Sequence, residues 1–276
     1  MARGIRSKRW SEKPPVGAQL NLGHPLAQGI VGCWLFNENS GLRAYDLSGR
    51  GNTGTLTNGP TWSAGRRGRA LNFDGVNDDV LAGTGSSLNI TGNITIAAWI
   101  YPKSFGGGTK GRIFDKNDAS PTVGYDLQLE DTTVNDGFAW VLGNGAASTS
   151  SNANVIQLNQ WQHVVLSYNG SNCNFYVDGT SAGSPAFTTN SSSSSTITAS
   201  IGGRASDTAR QFDGLIDEVR IYNRALSSTE VRWLFTDPYA CFVPPAPRLR
   251  YFIAAPPAAV VTAATVEDES FTFAMS

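Results

Sequence analysis

The chain is predicted to fold as an all-β antiparallel sandwich of two sheets, with one short C-terminal helix and extended arms at both ends. Three observations carry this expectation. Short β-branched and aromatic segments recur along the chain, separated by clusters of Gly, Asn and Asp, which is the spacing of a sandwich. The composition agrees: there are 30 glycines, and only 16% of the 276 residues are charged, against roughly 25% in an average soluble protein. Finally, Gly214 to Val231 reads as a strand that turns through Asn223-Arg224 into a capped helix.

The elements follow in order. Residues 1–27 form a basic arm with Arg3, Arg6, Lys8, Arg9 and Lys13 against Glu12 alone, interrupted by Pro14-Pro15 and His24-Pro25. The body, residues 28–237, opens with a strand at Ile30–Phe36. Further strands are expected at Ala70–Phe73, Asp79–Ala82, Ile94–Tyr101, Gly111–Lys116, Tyr125–Glu130 and Gly137–Leu142. Gln162–Tyr168, Cys173–Val177, Thr196–Ile201 and Leu215–Tyr222 complete the set. In the Gln162 strand, His163, Val165 and Ser167 alternate with Val164, Leu166 and Tyr168, giving two faces at period two. Asn169-Gly170 is expected to supply the positive φ angles of a tight reversal, and Asp178-Gly179 turns the chain again. The Ser191–Ser195 run reads as a loop tip, and Gly106-Gly107-Gly108-Thr109-Lys110 as a hairpin loop without P-loop spacing.

Ser227 and Glu230 stand at capping-box spacing, so hydroxyl and carboxylate can satisfy free N–H groups of a first helical turn. Asp237-Pro238 ends that helix, because a residue before proline is pushed out of helical geometry. Beyond it, residues 238–276 form a tail, with six of the 13 prolines within residues 238–257. Such a segment cannot continue a sheet and is extended. Segments without a core of their own become ordered when something holds them. Both arms are therefore expected to fasten the sandwich to other subunits of a large assembly, as a homo-oligomer.

A net charge of −1 argues for neither nucleic acid nor an acidic membrane as partner. Cys33, Cys173 and Cys241 are odd in number and widely spaced, which disfavours a disulfide framework or a structural zinc. They read as small buried residues in reduced protein. The basic start is not followed by an apolar run, so no ordinary secretory leader is expected, and no stretch is long enough to span a bilayer.

Four blocks in order carry a resemblance to a known family: Trp34-Leu-Phe-Asn-Glu-Asn-Ser-Gly41 leading to Asp46-Leu-Ser-Gly-Arg-Gly-Asn-Thr-Gly54; Ala70-Leu-Asn-Phe-Asp-Gly-Val-Asn-Asp-Asp-Val80; Trp161-Gln-His-Val-Val165 leading to Tyr176-Val-Asp-Gly179; and Gly-x-Ile-Asp-Glu-Val-Arg-Ile-Tyr-Asn-Arg-Ala-Leu-Ser-x-x-Glu-Val. Over roughly residues 28–236 the chain resembles laminin-G-like, concanavalin A-like jelly-roll domains. That resemblance implies a jelly roll and a structural Ca²⁺ tying an early loop to the last strand. The matching positions are Asp46, Asn52 and Asp217. A hard cation wants six to eight oxygens; alternatively, Asp46 and Asn52 form Asx-turns and Asp217 bonds local backbone N–H groups. Asp78 and Asp79, beside the Asp74-Gly75 turn, are weaker candidates for an exposed calcium or glycan site.

Glycan binding, also implied by the resemblance, needs an aromatic platform with polar groups around it. Trp62, Phe105, Tyr125 and Trp140 are the candidates, each also a candidate core residue. Hydrolysis needs two facing carboxylates. Glucanases of similar fold carry them as Glu-x-Asp-x-x-Glu, which Asp217-Glu218-Val219-Arg220 lacks. Adjacent residues of a regular strand point to opposite faces, so Asp217 and Glu218 are not expected to act together. His163 reads as a structural strand residue. The expectation is a non-catalytic display module, carried on a virion such as a tailed-phage head or tail, that exposes a lectin-like sandwich for glycan or surface attachment. The alternatives are a carbohydrate-binding module of a cell-surface adhesion system and, third, a glycoside hydrolase.

Overall fold

The structure, a computed structural model, describes residues 12–117, 124–131, 135–142, 147–189, 196–205 and 208–243. Ser191–Ser195, the first eleven residues and the Pro-rich tail beyond Val243 lie outside the described residues. In chain order the early strands are β1 Gln19–Leu20, β2 Ile30–Trp34, β3 Arg43–Ala44, β4 Gly54–Thr57, β5 Thr61–Ala64, β6 Arg69–Asp74 and β7 Asp79–Gly83. Then come β8 Ile94–Pro102, β9 Arg112–Asn117, β10 Gly124–Glu130, β11 Gly137–Leu142, β12 Ala147–Ser150 and β13 Gln162–Tyr168. The last are β14 Cys173–Val177, β15 Thr180–Ser181, β16 Ala199–Ile201, β17 Asp213–Tyr222 and β18 Phe242–Val243, with helix α1 at Ser228–Thr236.

Two large antiparallel sheets face each other. Sheet I runs β12-β11-β10-β9-β16-β7-β4-β3; sheet II runs β15-β14-β13-β8-β17-β6-β5, with β2 also pairing β17. The core between them is strongly aromatic. Trp34, Phe114, Tyr125 and Trp140 follow one another in a row, with ring centroids 6.3, 6.1 and 5.5 Å apart. Val164, Leu166 and Tyr168 of β13 join this core, while Val165 on the opposite face joins a second one. That second cluster lies outside sheet II, where Val231 and Leu234 of α1 pack with Leu26, Ile30, Cys33, Ala97 and Tyr222. All three cysteines are buried and free. The capping box forms in full: the Ser227 hydroxyl accepts from the Glu230 N–H, and the Glu230 carboxylate accepts from the Ser227 N–H.

Four sequence-based expectations need correction. The described part of the N-terminal arm packs on its own body. Ala18, Leu26 and Ala27 are buried, β1 pairs β18, and Lys13 pairs with Asp217 of β17. Strands β1 and β18, which lie outside the proposed boundaries at residues 28 and 237, pair with each other and pack with the body, so the body extends past both boundaries. At Asn169-Gly170 only the glycine takes positive φ, 87°. Asn169 serves instead as a side-chain acceptor for the Ser171 and Asn172 N–H groups. Asp178 (φ 49°) and Gly179 (φ 74°) do form the two-residue reversal with both angles positive. Last, the Gly106–Lys110 segment links β8 of sheet II to β9 of sheet I, so it is a crossover between sheets and not a hairpin loop.

Candidate functional site

Strand β17 carries the acids singled out from sequence, and it is not regular there. Its register on β8 shifts between Asp217 and Arg220, and Glu218 has φ 50°. One edge of β17 pairs β6 up to Ile216 and β2 from Val219 onward. Ile216 and Val219 both sit in the inter-sheet core, so the bulge sends Asp217 and Glu218 to the same outer side. The opposite-faces expectation fails because it presumed an unbroken pleat. The two acids are nevertheless sealed and paired. Lys13 Nζ lies 2.5 Å from Asp217 Oδ1, the Tyr239 hydroxyl donates to Glu218, and Arg220 Nη2 lies 3.5 Å from Glu218. Burial, reinforced by Glu218, raises the Asp217 carboxyl well above the usual range, with Lys13 opposing.

The proposed calcium set does not fit calcium. Asp46 Oδ1 accepts from the N–H groups of Cys33 and Ser48, both at 2.9 Å. Asp46 Oδ2 accepts from the Ser48 hydroxyl at 2.8 Å and the Asn52 N–H at 2.9 Å. Three N–H donors aimed at one carboxylate make an Asx-turn, and the single Ser48 hydroxyl proton is shared between Asp46 and the Val31 carbonyl, so the loop is held by its own donors. Asn52 is buried, giving its amide N–H to the Val31 carbonyl and the Ser87 hydroxyl, and Asp217 is held by Lys13. Among the described residues no group of three or more His, Cys, Asp or Glu side chains is placed to hold a metal.

Sequence reasoning missed a buried polar cluster on the outer side of sheet I. Asp115 of β9 and Asp126 of β10 are direct cross-strand partners. Such partners hold their Cβ atoms about 4.5–5.5 Å apart, so the two side chains are neighbours on one face of the sheet. Arg112 lies between them, with Nη1 2.5 Å from Asp126 and Nε 3.1 Å from Asp115. Arg204 adds a contact to Asp115 at 3.4 Å, and Asn117 donates to both carboxylates. Both acids are buried, at 1% and 0% exposure. Burial and the Asp126 charge push the Asp115 carboxyl up to about 7, against the pull of Arg112 and Arg204. The only trace of this cluster in sequence is alternation: Asp126, Gln128 and Glu130 interleave with Tyr125, Leu127 and Leu129. Nothing local says that the polar side is covered as well.

Of the candidate aromatics, Phe105, Tyr125 and Trp140 are core residues. The Tyr125 hydroxyl donates to the Leu88 carbonyl. Trp62 is half-buried against the core, its indole N–H on the Gly41 carbonyl. Asp78 and Asp79 are buried, and Asp78 accepts from the Asp74 N–H. None of these forms a platform. An open groove of about 340 Å³ lies elsewhere, where Trp161 and Gln160 face the β14–β15 turn. No helix among the described residues is long and apolar enough to cross a membrane.

The architecture matches that of known proteins. Domain 4 of a GH43 extracellular arabinanase from Geobacillus stearothermophilus, solved with arabinotriose, superposes with TM-score 0.60 at 19% identity, over 79% of this chain and 98% of that one. The binding domain of Paraclostridial Mosquitocidal Protein 1 gives TM-score 0.61 at 18% identity, over 78% of this chain and 53% of that one. In sequence, 155 residues are 24% identical to the Adhesion G-protein coupled receptor V1 of Danio rerio, covering 54% of this chain but 2% of the receptor. The pattern of the concanavalin A-like lectin/glucanases superfamily is matched across residues 73–232, which span β7 to β17 and the first turn of α1. The matched stretch covers more than half of the chain, which belongs to the concanavalin A-like lectin/glucanase superfamily.

Proposed function

We propose that this protein is a non-catalytic attachment module that presents its sandwich to glycans outside the cell or on a particle surface. One observation carries the reading: the two carboxylate pairs on β17 and on β9–β10 are both buried and held by cations. Asp115 and Asp126 share Arg112, and Asp217 and Glu218 are held by Lys13, Arg220 and Tyr239. A hydrolase acid must reach the glycosidic oxygen and its partner the anomeric carbon; buried, paired groups do neither. The arabinotriose seen with the arabinanase domain, and the binding role named for the mosquitocidal domain, agree with attachment as the use of this fold.

The fastening role belongs to the terminal segments of residues 1–27 and 238–276, basic at the N-terminus and Pro-rich at the C-terminus. On this reading they anchor the sandwich to other subunits of a large assembly such as a tailed-phage particle. The test is a panel of immobilised oligosaccharides probed with the full chain, beside a chain truncated after Val243. Saccharide binding by both forms, with particle association lost in the truncated one, is the expected result. Absence of binding to every saccharide overturns the attachment reading.

A further inference from the structure

We propose that the groove beside Trp161 is the saccharide site, and that it takes a neutral oligosaccharide; this rests on the attachment reading above. The groove is built before any ligand arrives. One wall is the segment 155–157, pinned by Gln162, whose side chain donates to the Val155 carbonyl at 2.9 Å and accepts from the Gln157 N–H at 2.7 Å. The other wall is the β14–β15 turn, fixed by Asp178, whose carboxylate accepts from the His163 N–H at 2.8 Å. Trp161 stands between them, half-buried, its ring tilted 58° against Tyr101 at 5.7 Å. Asn159 starts the approach to Trp161 with positive φ, 59°, and anchors it by donating its N–H to the Pro102 carbonyl.

The lining selects the ligand class. Gln157, Gln160, Thr180 and Ser181 are exposed at the rim. Amides and hydroxyls of this kind both donate and accept, as sugar hydroxyls do. Among the described residues, Asp178 is the one charged group in the lining, and a backbone N–H already engages its carboxylate. The lining thus offers no cation to recognise a sialic acid, uronic acid or sulfate. The indole offers a flat, electron-rich face for the C–H side of a pyranose or furanose ring. A volume of about 340 Å³ lies at the lower end of ordinary ligand clefts, so the site takes a short segment or a chain end.

The test uses the full chain on an array of neutral gluco-, xylo-, galacto- and arabino-oligosaccharides with sialylated and sulfated counterparts. Trp161→Ala is expected to weaken binding to the neutral members at least 10-fold. The double variant Gln157→Ala/Gln160→Ala, at exposed positions, should weaken it several-fold at an unchanged melting temperature. If Trp161→Ala fails to fold, the double variant alone decides whether the groove is the site. Neutral-sugar binding that survives the double variant and a folded Trp161→Ala chain unchanged overturns the site and leaves the attachment reading intact. Binding confined to anionic members overturns the ligand class. Failure of the unaltered chain to bind any saccharide overturns the attachment reading itself.

Discussion

Lys13 illustrates how much a single side chain can hold in this molecule. Its ammonium is buried with Asp217 and also donates to the Arg69 carbonyl, tying the N-terminal segment to the β17 bulge. Removing one partner of a buried ion pair leaves an uncompensated charge, which costs about 3–5 kcal/mol, whereas replacing both by apolar groups is often neutral. Lys13→Met should therefore lower unfolding stability by a few kcal/mol in denaturant titration, with Lys13→Met/Asp217→Leu recovering most of the loss. Additive losses in the double variant would refute the pairing.

Two buried groups also set opposing pH dependences. Asp115, raised to about 7, holds its proton in the fold where the unfolded chain releases it near 4. It contributes stability at low pH that is lost as pH rises through about 7. His163, lowered to about 3 by burial and then by Arg220, stays neutral in the fold while the unfolded chain protonates it below about 6.5. Its contribution is present above that value and lost as pH falls toward 3. Relative to the unaltered chain, Asp115→Asn should make stability rise more steeply with pH between 4 and 7. His163→Gln should do the reverse between 3 and 6.5. Equilibrium unfolding at a series of pH values measures both slopes.

At the scale of elements, helix α1 is fixed by its cap as well as its apolar face. Ser227→Ala removes the acceptor for the Glu230 N–H and should cost about 1 kcal/mol in chemical denaturation, within the usual range for such caps; no measurable cost would mean that packing alone holds the helix. This helix was legible in the sequence because capping is a local code. So were the longer strands, where alternation runs over six or more residues, as in β13 and β17. Strands of two to four residues, such as β1, β3, β5 and β18, were not, because they exist only through their partners. The bulge at Glu218 escaped for the same reason: switching from β6 to β2 along one edge of β17 is decided by distant chain. The Asp115–Arg112–Asp126 cluster stayed hidden because its residues look like the solvated face of a half-buried sheet.

On the scale of the whole molecule, β1 and β18 pair with each other, so chain from before and after the sandwich strands packs on the sandwich itself. Its stability should not depend on calcium, since the Asp46 loop is held by its own N–H and hydroxyl donors. Chelation is expected to leave the melting temperature unchanged, and a fall restored by added Ca²⁺ would place a metal where the donors now sit. An attachment module retains a saccharide without chemistry upon it. Incubating the chain with each oligosaccharide it retains and following the release of new reducing ends separates retention from turnover. Retention with no release is expected. Turnover that disappears in folded Asp115→Asn or Asp126→Asn chains would contradict it.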